Sequence, residues 1–389
     1  METPMLLPVE PLREPVQQPS STHEVIVSLD EEHFPLDDYN IGALTRTYEI
    51  IKYQRTQNWG LVRERIKYAS IVIATRSFIG LRELDRAPFL KCIITPTCGI
   101  NHISLKDCQS RGIKVLNCYG STSVAAAEHA LSLVGRFAKI DDWMLISAKY
   151  FAARRKIVLM QNMMVIKVKE DMIGWELAGD ASSMMRTANG RRPPCLSDEK
   201  VGIIGDGLIG KSLARLCGGL NMTVMIAGKK SGERLRTPFR TPFDVVMRTA
   251  TVLFICCAAN RLSPSLIDAD EFSVMRREAI IVNVSRASVV NTKELIKALR
   301  EDRISGAATD VFDKEPVSNT RHSLMVELHS EKLNLIISPH VGHYSTGTLA
   351  EQRKMVNERI QYFVGGDVGE VEEAEVTDYD EGCCYSGCE

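Results

Sequence analysis

A glycine-rich turn in the middle of the sequence constrains the fold of this chain more than any other feature. The run VGIIGDGLIGKSLA places Gly205, Gly207 and Gly210 in the spacing G-x-G-x-x-G, after a strand-like segment and at the start of a helix-like one. The first glycine permits a tight turn, the second lets the backbone approach a pyrophosphate, and the third allows close packing of helix on strand. Together with Leu208 and Ile209, these glycines predict a dinucleotide site at a helix N-terminus. The alternative is a purely structural turn in an α/β domain.

The rest of the chain supports an α/β fold, because apolar runs of strand length alternate with helix-compatible stretches. We predict a doubly wound dinucleotide-binding domain over residues 120–343. It is inserted into a second Rossmann-like domain formed by residues 23–119 and a C-terminal helix over 344–366. Strands are predicted at 24–28, 71–74, 92–95, 114–117, 201–205, 222–227, 251–257, 278–284, 304–310 and 333–338.

Three segments do not follow this alternation. Residues 1–22 are rich in proline and predict a flexible leader, and the acidic residues 367–389 predict a flexible tail. Residues 148–198 predict an atypical insertion or loop within the dinucleotide-binding domain. For the methionine-rich part of this stretch two explanations stay open: a true insertion, or a translated non-coding segment.

Composition narrows the class of protein. The net charge of −1, with 44% hydrophobic and 25% charged residues, indicates an ordinary globular protein that binds a small molecule rather than nucleic acid. No apolar run approaches the roughly 20 residues that span a membrane, and no secretory signal is visible, so we expect a cytoplasmic protein. The 11 cysteines show neither disulfide-framework nor zinc spacing, so we expect reduced thiols and no metal site.

The residues after the second strand of the dinucleotide-binding domain bear on the choice of cofactor. NAD-binding sites carry an acidic residue there that accepts hydrogen bonds from the adenine ribose. This chain instead has Gly228, Lys229 and Lys230. Two cations without an acid favour the 2′-phosphate of NADP over NAD, and the alternative is a solvated basic loop.

Three polar segments follow predicted strands farther along the same domain. They place Arg286, Asp310 with Glu315, and His340 at the carboxyl ends of those strands, where open parallel sheets bind ligands. Reduction of a 2-oxo acid needs a cation for the carboxylate and a proton donor beside the carbonyl. An arginine fork suits the first task and a histidine suits the second, while a carboxylate beside the histidine favours its protonated form.

These segments together resemble a known family. The runs NVSRASVV, GAATDVFDKEP and SPHVGHYST are similar to the signature of D-isomer-specific 2-hydroxyacid dehydrogenases. The upstream run TPTCGINHISLKDCQSRGIKVLNCYGSTSVAAAEHAL resembles the substrate-domain motif and crossover helix of that family. The resemblance covers most of residues 90–364 apart from 148–198, and it is greatest to glyoxylate/hydroxypyruvate reductases.

The resemblance implies a role for each matching residue. Arg286 would bind the substrate carboxylate and carbonyl, His340 would be the acid/base and Glu315 its partner. Asp310 would bond the nicotinamide carboxamide. The Cys98 and Gly99 amides of the other domain would hold the substrate carboxylate. Thr122 would lie near the cofactor at the hinge between the domains. The family also implies a homodimer and a (R)-2-hydroxyacid product.

Several positions depart from the family pattern. Ala287 replaces the glycine that usually follows the arginine, and His343 stands near a position usually held by a small residue, where it would line the substrate pocket. Two other functions stay open. One is a dinucleotide-sensing corepressor without turnover. The other is a formate or phosphite dehydrogenase, against which Glu315 argues, because such relatives pair the histidine with glutamine.

Overall fold

The protein is described by a computed structural model that covers residues 10–36, 41, 44–56, 58–134, 195–230, 240–258, 265–315, 317 and 333–365. The chain divides into two compact units. Unit 1 contains the residues up to Thr122 and those from Tyr344 onward, and unit 2 is Ser123–His343. Each unit contains one parallel sheet whose strands alternate with helices. The predicted fold class, with two Rossmann-like units and one inserted into the other, is confirmed.

Unit 1 is built on a five-stranded parallel sheet with the order β2-β1-β3-β4-β5. Its strands are β1 (His23–Ser28), β2 (Thr47–Lys52), β3 (Ile71–Ile73), β4 (Cys92–Thr95) and β5 (Lys114–Asn117). The helices between them are α1 (Trp59–Arg65), α2 (Leu81–Leu84) and α3 (Leu105–Ser110). Strands β1, β3 and β4 are buried along their whole length, as expected from the apolar runs at 25–27, 71–73 and 92–94.

Strand β2 was not predicted from the sequence. Its sequence TYEIIK mixes polar and apolar residues, and most of its side chains are only half-buried. It lies at the edge of the sheet and pairs only with β1 among the described strands. An edge strand is covered less completely than a central one, so its sequence lacks the apolar run on which the prediction depended.

Unit 2 contains a six-stranded parallel sheet with the order β7-β6-β8-β9-β10-β11. Its strands are β6 (Lys200–Ile204), β7 (Thr223–Ile226), β8 (Val252–Ile255), β9 (Ile280–Asn283), β10 (Gly306–Thr309) and β11 (Leu335–Ile337). Its helices are α4 (Ser123–Val134), α5 (Leu208–Gly219), α6 (Phe243–Thr249), α7 (Ala269–Val274) and α8 (Thr292–Arg300). The strand order reverses at β6, which pairs with β7 on one side and β8 on the other. Such a switch point opens a crevice at the carboxyl ends of the strands.

Both faces of the unit 2 sheet are covered by helices. Apolar residues of α4 and α5 pack with Val201 and Ile203 on one face. Residues of α6, α7 and α8 pack with Ile204 and Leu253 on the other face. The alternation along β6 follows from the two-residue period of a strand, and it fixes which face each strand residue contributes to.

The C-terminal helix α9 (Thr346–Val364) covers one face of the unit 1 sheet. The Ser345 hydroxyl caps its N-terminus by accepting a hydrogen bond from the Thr348 amide, and Gly365 ends it with a φ of 88°. Its buried face packs with β3, β4 and β5 through the apolar side chains of Val356, Ile360 and Val364. The helix therefore completes the core of unit 1 although it follows unit 2 in sequence.

The segments that the sequence set apart are only partly described. Residues 10–20 of the predicted flexible leader contact unit 1, where the Arg13 amide donates to the Tyr53 hydroxyl at 2.9 Å and the Gln54 amide donates to Glu10 at 2.7 Å. These hydrogen bonds connect this part of the leader to the residues that follow β2, and its flexibility stays a prediction. Residues 148–194 and the predicted tail at 367–389 lie outside the described residues. No described helix is both long and apolar enough to cross a bilayer.

Two glycines of unit 2 offer a matched test of the packing. A Cβ on Gly202 of β6 would come within 2.6 Å of Val246 Cγ1, whereas a Cβ on Gly218 of α5 would meet nothing within 4 Å. We expect Gly202→Ala to lower the free energy of unfolding by about 1–3 kcal/mol through overpacking. Gly218→Ala should raise it by up to about 1 kcal/mol, because alanine favours a helix. Urea unfolding of both variants measures this, and equal effects would contradict the packing described.

Candidate active site

The glycine turn lies at the switch point of the unit 2 sheet, directly after β6. Gly205 has a φ of +114°, and a Cβ there would come within 2.5 Å of the Cys257 backbone nitrogen after β8. A Cβ on Gly210 would come within 2.0 Å of the Gly205 carbonyl oxygen. The close approach of these backbones therefore excludes any side chain at both positions, which explains the glycines in structural terms.

The N-terminus of α5 opens from this turn. Gly207 is its N-cap residue, and both Gly207 and Leu208 are exposed, whereas Ile209 packs on the core. The first amides of a helix have no acceptor within the helix, so they are available to an anion. An exposed helix N-terminus beside a turn without side chains fits the pyrophosphate of a dinucleotide.

Cys256 supports the turn from the end of β8, and sequence reasoning did not single it out for this place. Its sulfur lies 3.5 Å from the carbonyl oxygens of both Ile204 and Gly205, and its single S–H can donate to either. Burial raises the pKa of the Cys256 thiol to about 12, so the group stays a protonated donor at neutral pH. The turn is thus held both by backbone packing and by a side chain from the neighbouring strand.

The residues after β7 have hydrogen-bond and ion-pair partners within unit 2. The Gly228 amide donates to the Thr241 carbonyl at 2.8 Å, and the exposed Lys229 follows it. The Lys230 ammonium contacts Glu271 at 2.8 Å and donates to the Leu266 carbonyl at 3.0 Å. Lys230 is therefore engaged with a neighbouring carboxylate, and its role in attracting a phosphate stays a prediction.

A second ion pair lies within the glycine turn itself. Asp206, between the first two glycines, pairs with Arg240, and both side chains are about 30% exposed. The sequence motif assigns no role to the Asp206 carboxylate. The structure gives it a specific partner that sequence reasoning missed, because Arg240 is 34 residues away along the chain.

Arg286 lies on the loop after β9, where neighbouring side chains fix its backbone. The Asn283 side chain donates to the Arg286 carbonyl at 3.0 Å and accepts from the Ser285 amide at 3.0 Å. The Arg286 guanidinium donates to the Ser285 carbonyl at 2.9 Å. Asn283 was not identified from the sequence, and it organises the loop that carries the predicted carboxylate binder.

Glu315 and His340 form the closest polar pair of the predicted set. The Nδ1 of His340 lies 2.6 Å from the Glu315 carboxylate, whose other oxygen accepts the Phe312 amide at 2.9 Å. Burial alone would raise the pKa of Glu315, but the bond to His340, the Phe312 amide and the charge of Arg286 together lower it. Glu315 is therefore ionised at neutral pH and holds the imidazole in one orientation.

The three loops that carry this set follow adjacent strands. Strands β9, β10 and β11 are neighbours in the sheet, and Arg286, Glu315 and His340 follow them in that order. His340 has a φ of +51°, a left-handed conformation that costs a residue with a side chain roughly 1 kcal/mol or more. His343, the predicted pocket residue, lies edge-on to His340 with ring centroids 5.8 Å apart.

Asp310 is almost fully buried and holds the loop of His340 in place. Its carboxylate accepts the Ser338 hydroxyl at 2.5 Å, the Val341 amide at 3.1 Å and the Gly342 amide at 2.9 Å. His129 of α4 lies 3.3 Å from the same carboxylate. Burial would raise the pKa of Asp310, but these donors outweigh it and lower the pKa. Sequence reasoning predicted a nicotinamide contact for Asp310 and missed His129 and Ser338.

The predicted substrate loop lies in unit 1, after β4. The Cys98 carbonyl accepts the Asn117 side chain at 2.9 Å, and the Gly99 carbonyl accepts the Thr97 hydroxyl at 2.7 Å. The Cys98 thiol lies 3.3 Å from the Thr122 hydroxyl. The predicted substrate and hinge residues of this unit are therefore neighbours in one ordered loop cluster.

Comparisons with known proteins assign this arrangement to a family. Residues 164–342 match the family model described as D-isomer specific 2-hydroxyacid dehydrogenase, NAD binding domain. The chain is 27% identical over 292 residues to the glyoxylate reductase of Thermococcus gammatolerans, covering 73% of this chain and 76% of that protein. These matches support the assignment of residues 164–342 to the D-isomer-specific 2-hydroxyacid dehydrogenase family. Its members are oxidoreductases that bind a nicotinamide dinucleotide, and the resemblance noted in the sequence is confirmed.

Solved structures of D-2-hydroxyacid dehydrogenases share the fold. The NADPH-dependent glyoxylate/hydroxypyruvate reductase of Sinorhizobium meliloti superposes with a TM-score of 0.64 at 19% identity, covering 90% of this chain and 97% of that one. The D-lactate dehydrogenase of Aquifex aeolicus, complexed with NAD and lactic acid, gives a TM-score of 0.62 at 20% identity, with 88% and 96% covered. At these identities the likeness shows the fold alone.

The buried Asp310 network predicts a pH-dependent effect on stability. Asp310→Asn replaces an acceptor oxygen by a donor and should lower the free energy of unfolding by about 1–3 kcal/mol at pH 7. Because the pKa of Asp310 is lowered on folding, its contribution is complete above the ordinary value of 3.8 and is lost as the pH falls through the folded value.

The difference between the native protein and the variant should therefore narrow below about pH 4. Thermal unfolding midpoints of both proteins, measured from pH 7 to pH 3, check this. A difference that stays constant over that range would show that the charge of Asp310 does not contribute.

Proposed function

We propose that this protein reduces a small 2-oxo acid, of the glyoxylate or hydroxypyruvate kind, to the (R)-2-hydroxyacid with a nicotinamide dinucleotide, and catalyses the reverse oxidation. The proposal rests on the His340–Glu315 pair, whose polar atoms lie 2.6 Å apart. Arg286, Glu315 and His340 follow the three neighbouring strands β9, β10 and β11. A proton donor and a carboxylate-binding cation at the same edge of one sheet are the two groups that this reduction requires of the protein.

Each residue of the set has a distinct task in the proposed reaction. A bound reduced nicotinamide supplies the hydride that forms the new C–H bond at C2. Arg286 binds the substrate carboxylate through its planar fork and polarises the carbonyl. Because Glu315 holds Nδ1 of His340, the opposite nitrogen, Nε2, is the one free to give a proton to the carbonyl oxygen. Glu315 stabilises the imidazolium before transfer, and Asp310 keeps the histidine loop in place.

The cofactor and the assembly are parts of the same proposal. We infer that NADP is preferred over NAD, because no acidic residue follows β7 in the positions of Gly228, Lys229 and Lys230. In unit 1, the Cys98 and Gly99 amides would bind the substrate carboxylate, and both carbonyls of this pair are already tied back within the unit. We also propose a homodimer, as the family resemblance implies, and a cytoplasmic location, as the sequence indicates.

The proposal is tested by a panel of 2-oxo acids run with NADPH and NADH in parallel. Oxidation of NADPH with glyoxylate or hydroxypyruvate is the expected result. His340→Ala should lower kcat by roughly 100-fold or more through loss of the general acid, with cofactor binding followed separately by fluorescence. Cofactor binding without turnover of any 2-oxo acid would favour a dinucleotide-sensing protein, and full activity of His340→Ala would contradict the mechanism.

The role of Glu315 gives a separate prediction with a control in the same loop. Glu315→Gln keeps the shape but removes the charge that stabilises the imidazolium. The pH profile of kcat/KM for reduction should therefore change, because the carboxylate charge beside Nδ1 of His340 is removed. Asp313→Asn removes an exposed acid two residues away and should leave the profile in place. A profile that moves equally in both variants would show only a general charge effect.

A further inference from the structure

Arg240 and Asp206 lie in the cofactor region, and the proposed function leaves their role unexplained. Thr241, next to Arg240, pairs with the end of β7: its amide donates to the Ile226 carbonyl at 2.9 Å, and its carbonyl accepts the Gly228 amide at 2.8 Å. Asp206 follows β6, which is the neighbour of β7 on the opposite side. An ion pair between Arg240 and Asp206 therefore passes across the carboxyl end of β7.

That position is where a doubly wound sheet recognises the adenine ribose of a dinucleotide. The guanidinium has five N–H donors in a rigid fork, and one nitrogen, Nη2, is directed at Asp206. The Nε of Arg240 is buried and has no hydrogen-bond partner among the described residues. The group therefore has donors left for further acceptors, and phosphate oxygens match its fork.

Lys230, the cation suggested by the sequence, is not placed in the same way. Its ammonium contacts Glu271 and the Leu266 carbonyl and lies 6.0 Å from the centre of the Phe243 ring. These contacts hold Lys230 toward α6 and α7, and Glu271 offsets its charge. Both cations have a carboxylate partner, but only the partner of Arg240 belongs to the glycine turn that would face the cofactor.

We propose that Arg240, held across the end of β7 by Asp206, binds the 2′-phosphate of an adenosine nucleotide, and that Lys230 does not. The inference rests on the proposed dinucleotide binding and names the residue that selects the 2′-phosphate. Asp206 acts as a positioning residue, because it orients the guanidinium without contacting the phosphate. The cofactor preference then depends on a residue 12 positions beyond Gly228, at the far end of the connection between β7 and α6 rather than at its start.

The test measures binding of 2′,5′-ADP and 5′-AMP to the full chain by calorimetry, so it needs no turnover. The double variant Asp206→Asn with Arg240→Gln removes both charges and leaves the net charge unchanged. It should weaken 2′,5′-ADP binding by roughly ten-fold or more, the effect of losing one charge-assisted contact, while 5′-AMP binding changes by less than about three-fold. The matched variant Lys230→Gln with Glu271→Gln should change binding of both probes by less than about two-fold.

The possible results separate this inference from the proposed function. Loss of 2′,5′-ADP binding in the Lys230 variant, or equal losses of both probes in the Arg240 variant, would overturn the assignment. Native protein that binds 5′-AMP and NADH as tightly as their 2′-phosphorylated forms would also overturn it, yet would leave the proposed reduction standing. Circular dichroism of both double variants establishes that they are folded, and the single variant Arg240→Lys should retain part of the preference.

Discussion

The Asp310 carboxylate accepts hydrogen bonds from the Ser338 hydroxyl and from the Val341 and Gly342 amides, and these bonds tie the loop after β11 to the end of β10. The proposed catalytic pair depends on this buried carboxylate, because His340 lies within the same loop in a left-handed conformation. A loop of this kind keeps such a conformation only when its surroundings determine it more strongly than its own preference. Asp310 thus supplies the rigidity that lets Glu315 meet His340 at 2.6 Å.

The other end of the unit 2 crevice depends on close packing of backbones rather than on charge. Gly205 and Gly210 bring β6, α5 and the end of β8 closer together than any side chain allows. The same approach leaves the N-terminus of α5 exposed, where phosphates bind. The Asp206–Arg240 ion pair lies beside this glycine turn, where we propose that Arg240 recognises the 2′-phosphate by its charge. The backbone of the turn thus fits either dinucleotide, and we propose that one ion pair favours NADP over NAD.

The sequence predicted more of the fold than of the site, for physical reasons that differ from element to element. Central strands such as β1 and β4 are covered on both faces, so their apolar runs were recognised, whereas the edge strand β2 was not. In the site, motif order identified Arg286, Glu315 and His340 as one set. The supporting residues could not be found this way, because their partners lie far along the chain: His129 is 209 residues from Ser338, which it contacts.

The sequence by itself determined the class of protein. The glycine spacing predicts a strand–turn–helix unit that binds a dinucleotide, and the order of the motifs with Arg286, Glu315 and His340 indicates the family. These features are local, so each is complete within a short run of residues. The tertiary structure decided which charges face which partners. In the sequence, the two adjacent lysines after β7 predict one phosphate site. In the folded protein, Lys230 pairs with Glu271 and Arg240 pairs with Asp206. Coulombic attraction acts through space and not along the chain, and so only the fold could assign these pairs.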